Sequence, residues 1–492
     1  MPSGQKVIGI LGGGISGLST AFYLRKKFGD GIKAVIFEKS SRCGGWIKTI
    51  SRTDGSDSFH YEMGPRTMRP HAESGMNTLD LVEELGLSEQ VHFITKDHPV
   101  SKTRFIFHKE KLVKLPSDFS VLFRTVPPFD KPLIFAAFRD VFKWRRKLED
   151  DSIHNFVRRR FGLDIANYII DPIIRGICGG DARQISVKFL MKNLFEFEQK
   201  YGSAFLGLAF SRISSKHDND VVNVGYSNIA LASLRQNWSV WTLENGLQLL
   251  PWAIEDELKR YPNINIMKNC QVKSVRLGDR SKPGVIEVEY FPDCEQKATE
   301  MILCDHLIST VPSIELGRII RRSKPSHPSL WKVFDTMEST DIQVTNLMYK
   351  GQDVLNYEAF GFLVSSVEKS TQGLLGVVFD TCTFPQGDRQ ILTVMSKPSP
   401  DEEHDIETIM GFLKTTLKIE RPPDDHYMEV LRNCIPQYTV GHYEKVDAVR
   451  RYIKAANLPL TLAGASYDGV SVNDAIYSGK NAAESYDITD IT

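Results

Sequence analysis

Gly12, Gly13, Gly14 and Gly17 enclose Ile15 and Ser16 in the spacing G-x-G-x-x-G. Residues of these types at this spacing bind a pyrophosphate. The first glycine allows a tight turn, the second a close backbone approach to phosphate, and the third close packing of helix on strand. The N–H groups that open the helix then face the phosphate charge. Glu38 lies about 20 residues beyond the third glycine, where an acceptor for ribose hydroxyls belongs, and its charge disfavours a 2′-phosphate and hence NADP. Gly64, Pro65 and Arg66, in "YEMGPRTMRP", form another tight turn. The sequence holds no Ser-His-Asp set, no H-E-x-x-H and no metal-ligand spacing. Its twelve histidines do not cluster, and His98 and His442 read as structural. No catalytic side chain, no general base and no metal site are assigned.

These residues need particular elements around them. The apolar run Val7 to Leu11 reads as a buried strand, the run from Ile15 onward as a helix, and Ala34 to Phe37 as a second strand ending at Glu38. Later segments repeat the pattern. Trp241 to Leu258 precedes two strand-like runs, and "HLISTVP" (His306 to Pro312) reads as a buried strand. Leu458 to Leu462 is an apolar strand before a turn punctuated by Gly464 and Gly469. A helix is predicted to start there at Asn473 or Asp474. "SKPSPDEEHD" and "KIERPPDDH" read as solvated loops.

Composition narrows the class. The chain has 492 residues, a length that suggests roughly three domains. Lysine plus arginine equals aspartate plus glutamate at 61 each, which argues against nucleic acid as the main partner. Seven scattered cysteines without C-x-x-C suggest free thiols rather than a disulfide framework or a zinc site. No stretch approaches the ~18 apolar residues of a membrane span. The glycine motif starts so early that no cleavable presequence is predicted, and any organelle address would be internal.

After Glu38 comes "SSRCGGW", and Glu-…-R-x-G-G resembles the second signature of flavin-containing oxidases of the amine oxidase superfamily. Together with "LGGGISGLS", "MGPRTMRP", "DHPVSKTRF", "IIRGICGGD", "NCIPQYTVGH" and "LAGASYDGVSVND", these blocks resemble the protoporphyrinogen oxidase family, in its oxygen-dependent, FAD-containing, mitochondrial form. The resemblance runs from Val7 to about Ala483. It implies an α/β fold: a Rossmann-like FAD-binding domain of the flavin amine oxidase type, a mixed-sheet substrate domain and a helical membrane-docking domain. The FAD domain would comprise 1–97, 216–320 and 441–492, the helical domain 98–215 and the substrate domain 321–440. It further implies oxidation of protoporphyrinogen IX by hydride transfer from a methylene bridge to FAD, with O2 reoxidising the flavin to H2O2. Other implications are peripheral association with the mitochondrial inner membrane on its intermembrane-space side, a homodimer, and handover of product to ferrochelatase. Another FAD-dependent amine oxidase and a carotenoid desaturase-like enzyme are the alternatives.

Carried over residue by residue, the resemblance implies FAD contacts at Gly12, Gly13, Gly14, Ile15, Ser16, Gly17, Glu38, Arg42, Gly45, Trp46, Gly64, Pro65, Arg66, Thr67, Val272, Gly464, Val470, Ser471 and Val472. Arg42 would offset diphosphate charge. Substrate contacts would come from Arg104, pairing with a propionate, from Arg175 and Gly176, and from Phe360, Leu363, Met395 and Ile435 as pocket wall. On spacing alone, Arg104 reads as a surface arginine and the four wall residues as core.

"LPSDFSVLFRTVPPFDKPLIFAAFRDVFKWRRK", Leu115 to Lys147, adds an expected helix capped by Asp130 with Pro132 in its first turn. Phe135, Phe138 and Phe142 recur at helical spacing with Ile134 and Val141, and Lys143, Arg145, Arg146 and Lys147 close it. That pattern fits an interfacial membrane helix. It also fits a core-facing helix whose basic end suits the dipole; the resemblance favours the membrane.

Overall fold

The computed structural model describes residues 5–55, 57–115, 123–214, 225–278, 285–293, 298–323, 327–398 and 403–487. Cys294 and residues 116–122 of the expected interfacial segment lie outside them. In chain order, the strands that carry the two sites are β1 (Lys6–Leu11), β2 (Ile32–Phe37), β3 (Phe105–His108), β4 (Lys111–Lys114), β5 (Ile264–Met267), β6 (His306–Ser309), β7 (Ser339–Lys350), β8 (Gly361–Val364), β9 (Leu374–Phe379), β10 (Arg389–Ser396), β11 (Asp425–Pro436) and β12 (Leu460–Leu462). The helices are α1 (Ile15–Phe28), α2 (Ile134–Phe142), α3 (Ile153–Arg160), α4 (Asp171–Cys178), α5 (Lys188–Tyr201), α6 (Ala204–Ser214), α7 (Ile406–Leu417) and α8 (Val472–Ser485).

The chain folds as two units, the first from 1–93, 226–338 and 443–492, the second from 94–225 and 339–442. The expected helical and substrate domains thus fall together in the second unit. Residues 321–338 go to the first, because Leu330, Phe334 and Met337 bury against Val275, Ile286 and Leu307.

The first unit is built on a five-stranded parallel sheet, ordered β12-β6-β1-β2-β5. The strands KVIGIL and IKAVIF are apolar almost throughout, as strands covered on both faces must be. Ile8, Ile10, Ala34 and Ile36 pack on one face with Leu18 and Leu24 of α1. Leu11, Val35 and Phe37 pack on the other with Leu307 and Leu462. The Ser16 hydroxyl on α1 donates to the Ala475 carbonyl of α8 at 2.9 Å.

The second unit is built on a seven-stranded mixed sheet, ordered β11-β7-β10-β9-β8-β3-β4, with only β3 and β8 parallel. One face buries Leu347, Tyr349, Phe362, Val364, Val377, Phe379, Leu392 and Val394 against Ile409 and Leu413 of α7. The opposite face carries Leu363 and Met395. A helical layer packs separately around Phe156, Ile170, Ile174 and Phe195.

The expected interfacial helix begins later than read. α2 opens at Ile134 behind Leu133, with no side-chain cap. Pro132 and Leu133 supply the first carbonyls, to Phe135 and Ala136 at 3.1 and 3.0 Å, so Asp130 has no capping role. The carboxylate that matters is Asp140, fully buried. Its Oδ1 pairs with Arg160 Nε at 2.5 Å, and its Oδ2 accepts from Ser203 Oγ at 2.5 Å and the Phe205 amide at 2.9 Å, at the start of α6. Arg160 also donates to the carbonyls of Lys143 at 2.9 Å and Gly202 at 2.7 Å. This cluster ties α2 and α6 together beneath a surface of exposed apolar side chains. Among the described residues, no helix is long and apolar enough to cross a membrane.

Candidate functional site

In the first unit, the glycine turn leaves β1 with Gly12 at φ +94° and its amide on the Phe37 carbonyl at 2.9 Å. A Cβ on Gly17 would run into the Gly12 carbonyl oxygen and stand 3.0 Å from Thr310 Oγ1. A Cβ on Gly13 would meet the Glu38 Cβ at 2.9 Å. Gly14 behaves differently: its Cβ would meet only the Gly45 Cα, at 4.0 Å. The emptiness beside Gly14 is space for a ligand rather than for protein. α1 starts at this point with Gly14 as its N-cap and no side chain capping its amides, so Ile15, Ser16 and Gly17 present an open helix N-terminus.

Glu38 is buried at the end of β2. Its Oε2 accepts from the Gly13 amide at 2.8 Å and its Oε1 from the Ser40 amide at 2.7 Å. Each carboxylate oxygen keeps a second lone pair for a hydroxyl donor. The Cys270 amide donates to the Glu38 carbonyl at 2.8 Å, which brings the strand carrying Val272 alongside. Arg42 donates to the carbonyls of Cys43 at 3.2 Å, Ile47 at 3.0 Å and Gly45 at 2.6 Å. It shapes the second glycine turn, and the Gly44 amide ties that turn to the Gly13 carbonyl at 2.9 Å. Gly64 has no room for a side chain because the Trp46 carbonyl occupies it. Pro65 and Thr67 are half-buried, and Arg66 is buried with Nη2 near the Gly64 carbonyl at 3.4 Å.

The last turn converges on the same glycines. A Cβ on Gly464, at φ +95°, would stand 3.1 Å from Ser16 Oγ. α8 starts earlier than predicted. Ser471 is its N-cap, its Oγ accepting from the Asp474 amide at 3.1 Å, and Val472 is the first helical residue; a hydroxyl on extended backbone serves that role better than Asn473 inside the turn. Val470 is half-buried beside it. Asn473 Nδ2 donates to the Arg69 carbonyl at 2.8 Å, while its Oδ1 is buried without a partner among the described residues. Open space beside Gly14 that one added methyl group would occupy, an open helix N-terminus, a carboxylate at the ribose position and an orphaned buried acceptor together fit a flavin dinucleotide.

In the second unit, register collects wall residues that lie far apart in sequence. Leu363 on β8 pairs with Gly376 on β9, which pairs with Met395 on β10, which pairs with Val344 on β7. These residues form one rank on one face, with Leu363 and Met395 half-buried on either side of a glycine. The space over Gly376 is taken by protein: a Cβ there would stand 2.5 Å from the Phe362 carbonyl oxygen and 3.2 Å from Leu363 Cδ2, so Leu363 lies over the glycine and the rank forms an apolar wall of the kind that suits a flat ligand. Ile435 stands opposite Thr340 across the β7–β11 pair. Phe360 precedes β8, its amide on the Thr103 carbonyl at 3.3 Å, which sets it beside Arg104, an exposed residue just before β3. α4 covers the rank. A Cβ on Gly176 would overlap Leu363 Cδ2, and Arg175 donates to the carbonyls of Val364 and Leu374 at 3.0 and 2.9 Å.

Sequence reasoning missed Gly376, whose only signal is a lone glycine in "LLGVVF". It also missed the apolar face of α6, where Phe205, Leu206 and Phe210 are exposed. His98 caps a short helix by accepting from the Val100 amide, and buried His442 stacks on Tyr438 at 4.0 Å. Burial pushes the Cys43 and Cys304 thiols up to about 12 and Cys178 to about 11, so these stay protonated and inert.

Residues 15–485 match the family of flavin-containing amine oxidoreductases. Human protoporphyrinogen oxidase is 33% identical over 98% of each chain, and the cattle enzyme is 34% identical over the same share. Among solved structures, a candidate protoporphyrinogen oxidase from Exiguobacterium sp. 255-15 aligns over 98% of both chains with a TM-score of 0.75 at 21% identity. Cyclohexylamine oxidase from Brevibacterium oxydans aligns over 98% of both at a TM-score of 0.64 and 14% identity.

Proposed function

This chain belongs to the flavin-containing amine oxidoreductases and, among them, to the protoporphyrinogen oxidases, and we propose that it oxidises protoporphyrinogen IX to protoporphyrin IX. FAD is its cofactor. The observation that supports the substrate assignment is the rank Leu363–Gly376–Met395: an apolar wall with an arginine-bearing strand start beside Phe360.

The bound flavin supplies a two-electron, hydride-accepting centre that O2 restores with release of H2O2. Six electrons leave the macrocycle in all, so three O2 are consumed for each porphyrin formed. The protein's own work is binding and orientation. Gly12 to Gly17 and the α1 N-terminus hold the diphosphate, and Glu38 the ribose. The α8 N-terminus, capped by Ser471, supplies amide dipoles that favour negative charge. Leu363, Met395, Phe360 and Ile435 hold the ring face, and Gly176 leaves Leu363 its place. Arg104 anchors a propionate. No side chain moves a proton in this scheme.

Anaerobic mixing of the holoenzyme with protoporphyrinogen tests the reading. Bleaching of the flavin absorbance, its return in air and the rise of porphyrin fluorescence are expected; flavin that stays oxidised with this substrate and bleaches with an amine would replace the reading by an amine oxidase.

Arg104→Ala is expected to raise KM about tenfold or more with a smaller change in kcat, since a charge-assisted pair contributes about 1.5–3 kcal/mol of binding. Steady-state fluorimetry measures both constants. Leu363→Ala is expected to lower kcat and raise KM together, because a loosened ring no longer presents its methylene bridge in a reactive pose. Wild-type constants from folded Leu363→Ala would remove that residue from the wall.

We place the protein peripherally on the mitochondrial inner membrane, at its intermembrane-space side. Phe135, Phe138 and Phe142 are 55%, 57% and 80% exposed and Trp144 92% exposed, beside Lys143, Arg145, Arg146 and Lys147. Aromatic side chains flanked by basic ones suit an anionic lipid surface, and an apolar substrate is held there.

A further inference from the structure

The tip of α4 brings an arginine and a glycine against one side chain of the apolar wall. Arg175 Nε donates to the Val364 carbonyl at 3.0 Å and Nη2 to the Leu374 carbonyl at 2.9 Å. Val364 follows Leu363 in β8. Leu374 opens β9, where the β9–β10 register shifts between Leu374 and Gly376. A shift of this kind turns a strand and re-aims its side chains, and it leaves a carbonyl out of the ladder pattern. Arg175 therefore grips both strands of the Leu363–Gly376 pair by their backbones. The neighbouring Gly176 lies against Leu363 itself, since a Cβ there would overlap Leu363 Cδ2.

Two of the three guanidinium nitrogens are thus spent on carbonyls, in a fixed planar geometry. Burial pulls this guanidinium below the usual arginine range. Arg104 differs: it is exposed, at a strand start beside Phe360. A carboxylate approaching Arg175 would have to displace carbonyl contacts that hold β8 and β9 together.

We propose that Arg175 is a positioning residue that sets Leu363 over Gly376 by clamping the β8 and β9 backbones, and that it does not pair with a substrate propionate. This deepens the proposed function and rests on it. Its consequence is that the geometry of the apolar wall, and not its charge, depends on α4.

The test compares protoporphyrinogen IX with its dimethyl ester, both in detergent. Arg175→Gln is expected to lower kcat about tenfold or more on both substrates by the same factor, with flavin content unchanged, because misorientation does not depend on the propionate charge. Arg175→Lys, which can still donate to a carbonyl, should recover part of kcat on both. In the same assay Arg104→Ala should raise KM for the diacid and leave the diester nearly unaffected. A loss in Arg175→Gln confined to the diacid overturns the proposal. If Arg175→Gln does not fold, Gly176→Ala displaces Leu363 alone. An equal kcat loss on both substrates then supports the proposal, and an unchanged kcat overturns it. A wild-type enzyme that oxidises neither porphyrinogen defeats the functional reading itself, a result distinct from either.

Discussion

Gly17→Ala yields a colourless protein. The added Cβ has no place to go: it runs into the Gly12 carbonyl oxygen and stands 3.0 Å from Thr310 Oγ1. Thr310 cannot swing aside, because its hydroxyl donates to the Leu11 carbonyl at 2.7 Å with the Gly12 carbonyl at 3.2 Å. α1 must lift from β1 instead, and overpacking of this kind costs about 1–3 kcal/mol. Lifting α1 also carries its open amides away from the diphosphate. FAD affinity is expected to fall by about a hundredfold or more, which corresponds to about 2.7 kcal/mol. Absorbance of the purified protein and titration with FAD read it out. Gly14→Ala supplies the contrast. Its Cβ meets only the Gly45 Cα at 4.0 Å, so the flavin-free protein should melt at the wild-type temperature while the methyl group occupies ligand space. Two colourless variants with different melting temperatures would separate damage to the cradle from obstruction of it. A yellow Gly17→Ala protein would mean that the diphosphate is held elsewhere.

That cradle was legible because its parts are local. Strand, glycine turn, helix, strand and Glu38 follow within one βαβ stretch, and each position has a steric or hydrogen-bonding reason that a sequence displays. Where the reading slipped, a tertiary contact or a nearby cap had the decision. Ser471 wins the N-cap of α8 over Asn473 and Asp474 because its hydroxyl reaches the Asp474 amide. Arg42 is turned onto the carbonyls of its own loop, which no spacing rule announces. The apolar wall of the second unit was barely legible. Leu363, Gly376 and Met395 become neighbours only through strand register, and a β-strand of "LLGVVF" or "LTVMSKP" looks the same whichever strand it pairs with. The family resemblance supplied Leu363 and Met395, but Gly376, which it did not name, was invisible until the register was known. Asp130 was read as a cap for want of knowing that two carbonyls before Ile134 would close the first turn.

Serine at Phe135, Phe138 and Phe142 together is expected to weaken vesicle binding about a hundredfold while leaving the fold and the detergent-assayed turnover intact. The separation is possible because of where these side chains point. They lie on the outer side of α2, and serine there removes little buried surface; each exposed substitution should shift stability by within about 0.5 kcal/mol. Against a bilayer the same rings would be buried, at up to about 1.5–3 kcal/mol each for full burial. Even partial insertion of all three gives on the order of 3 kcal/mol, a partition change of about a hundredfold. Phe205 and Phe210 of α6, 47% and 54% exposed, belong to the same surface, because Asp140 holds the start of α6 to α2. Binding that persists weakly in the triple variant should vanish when Phe205 and Phe210 also become serine. Each nearby Lys or Arg adds about 1 kcal/mol on an anionic surface, so wild-type binding should weaken with salt on anionic vesicles and be poor on neutral ones. Asp140→Ala cannot serve as the test. It would take from buried Arg160 the nearer of its two carboxylates, leaving Glu198 at 3.5 Å, and would strip Ser203 and the Phe205 amide of their acceptor; breaking a buried pair costs about 3–5 kcal/mol, and the lost binding would report a lost fold. Wild-type partitioning by a folded triple variant would mean that these rings face a protein partner and not lipid.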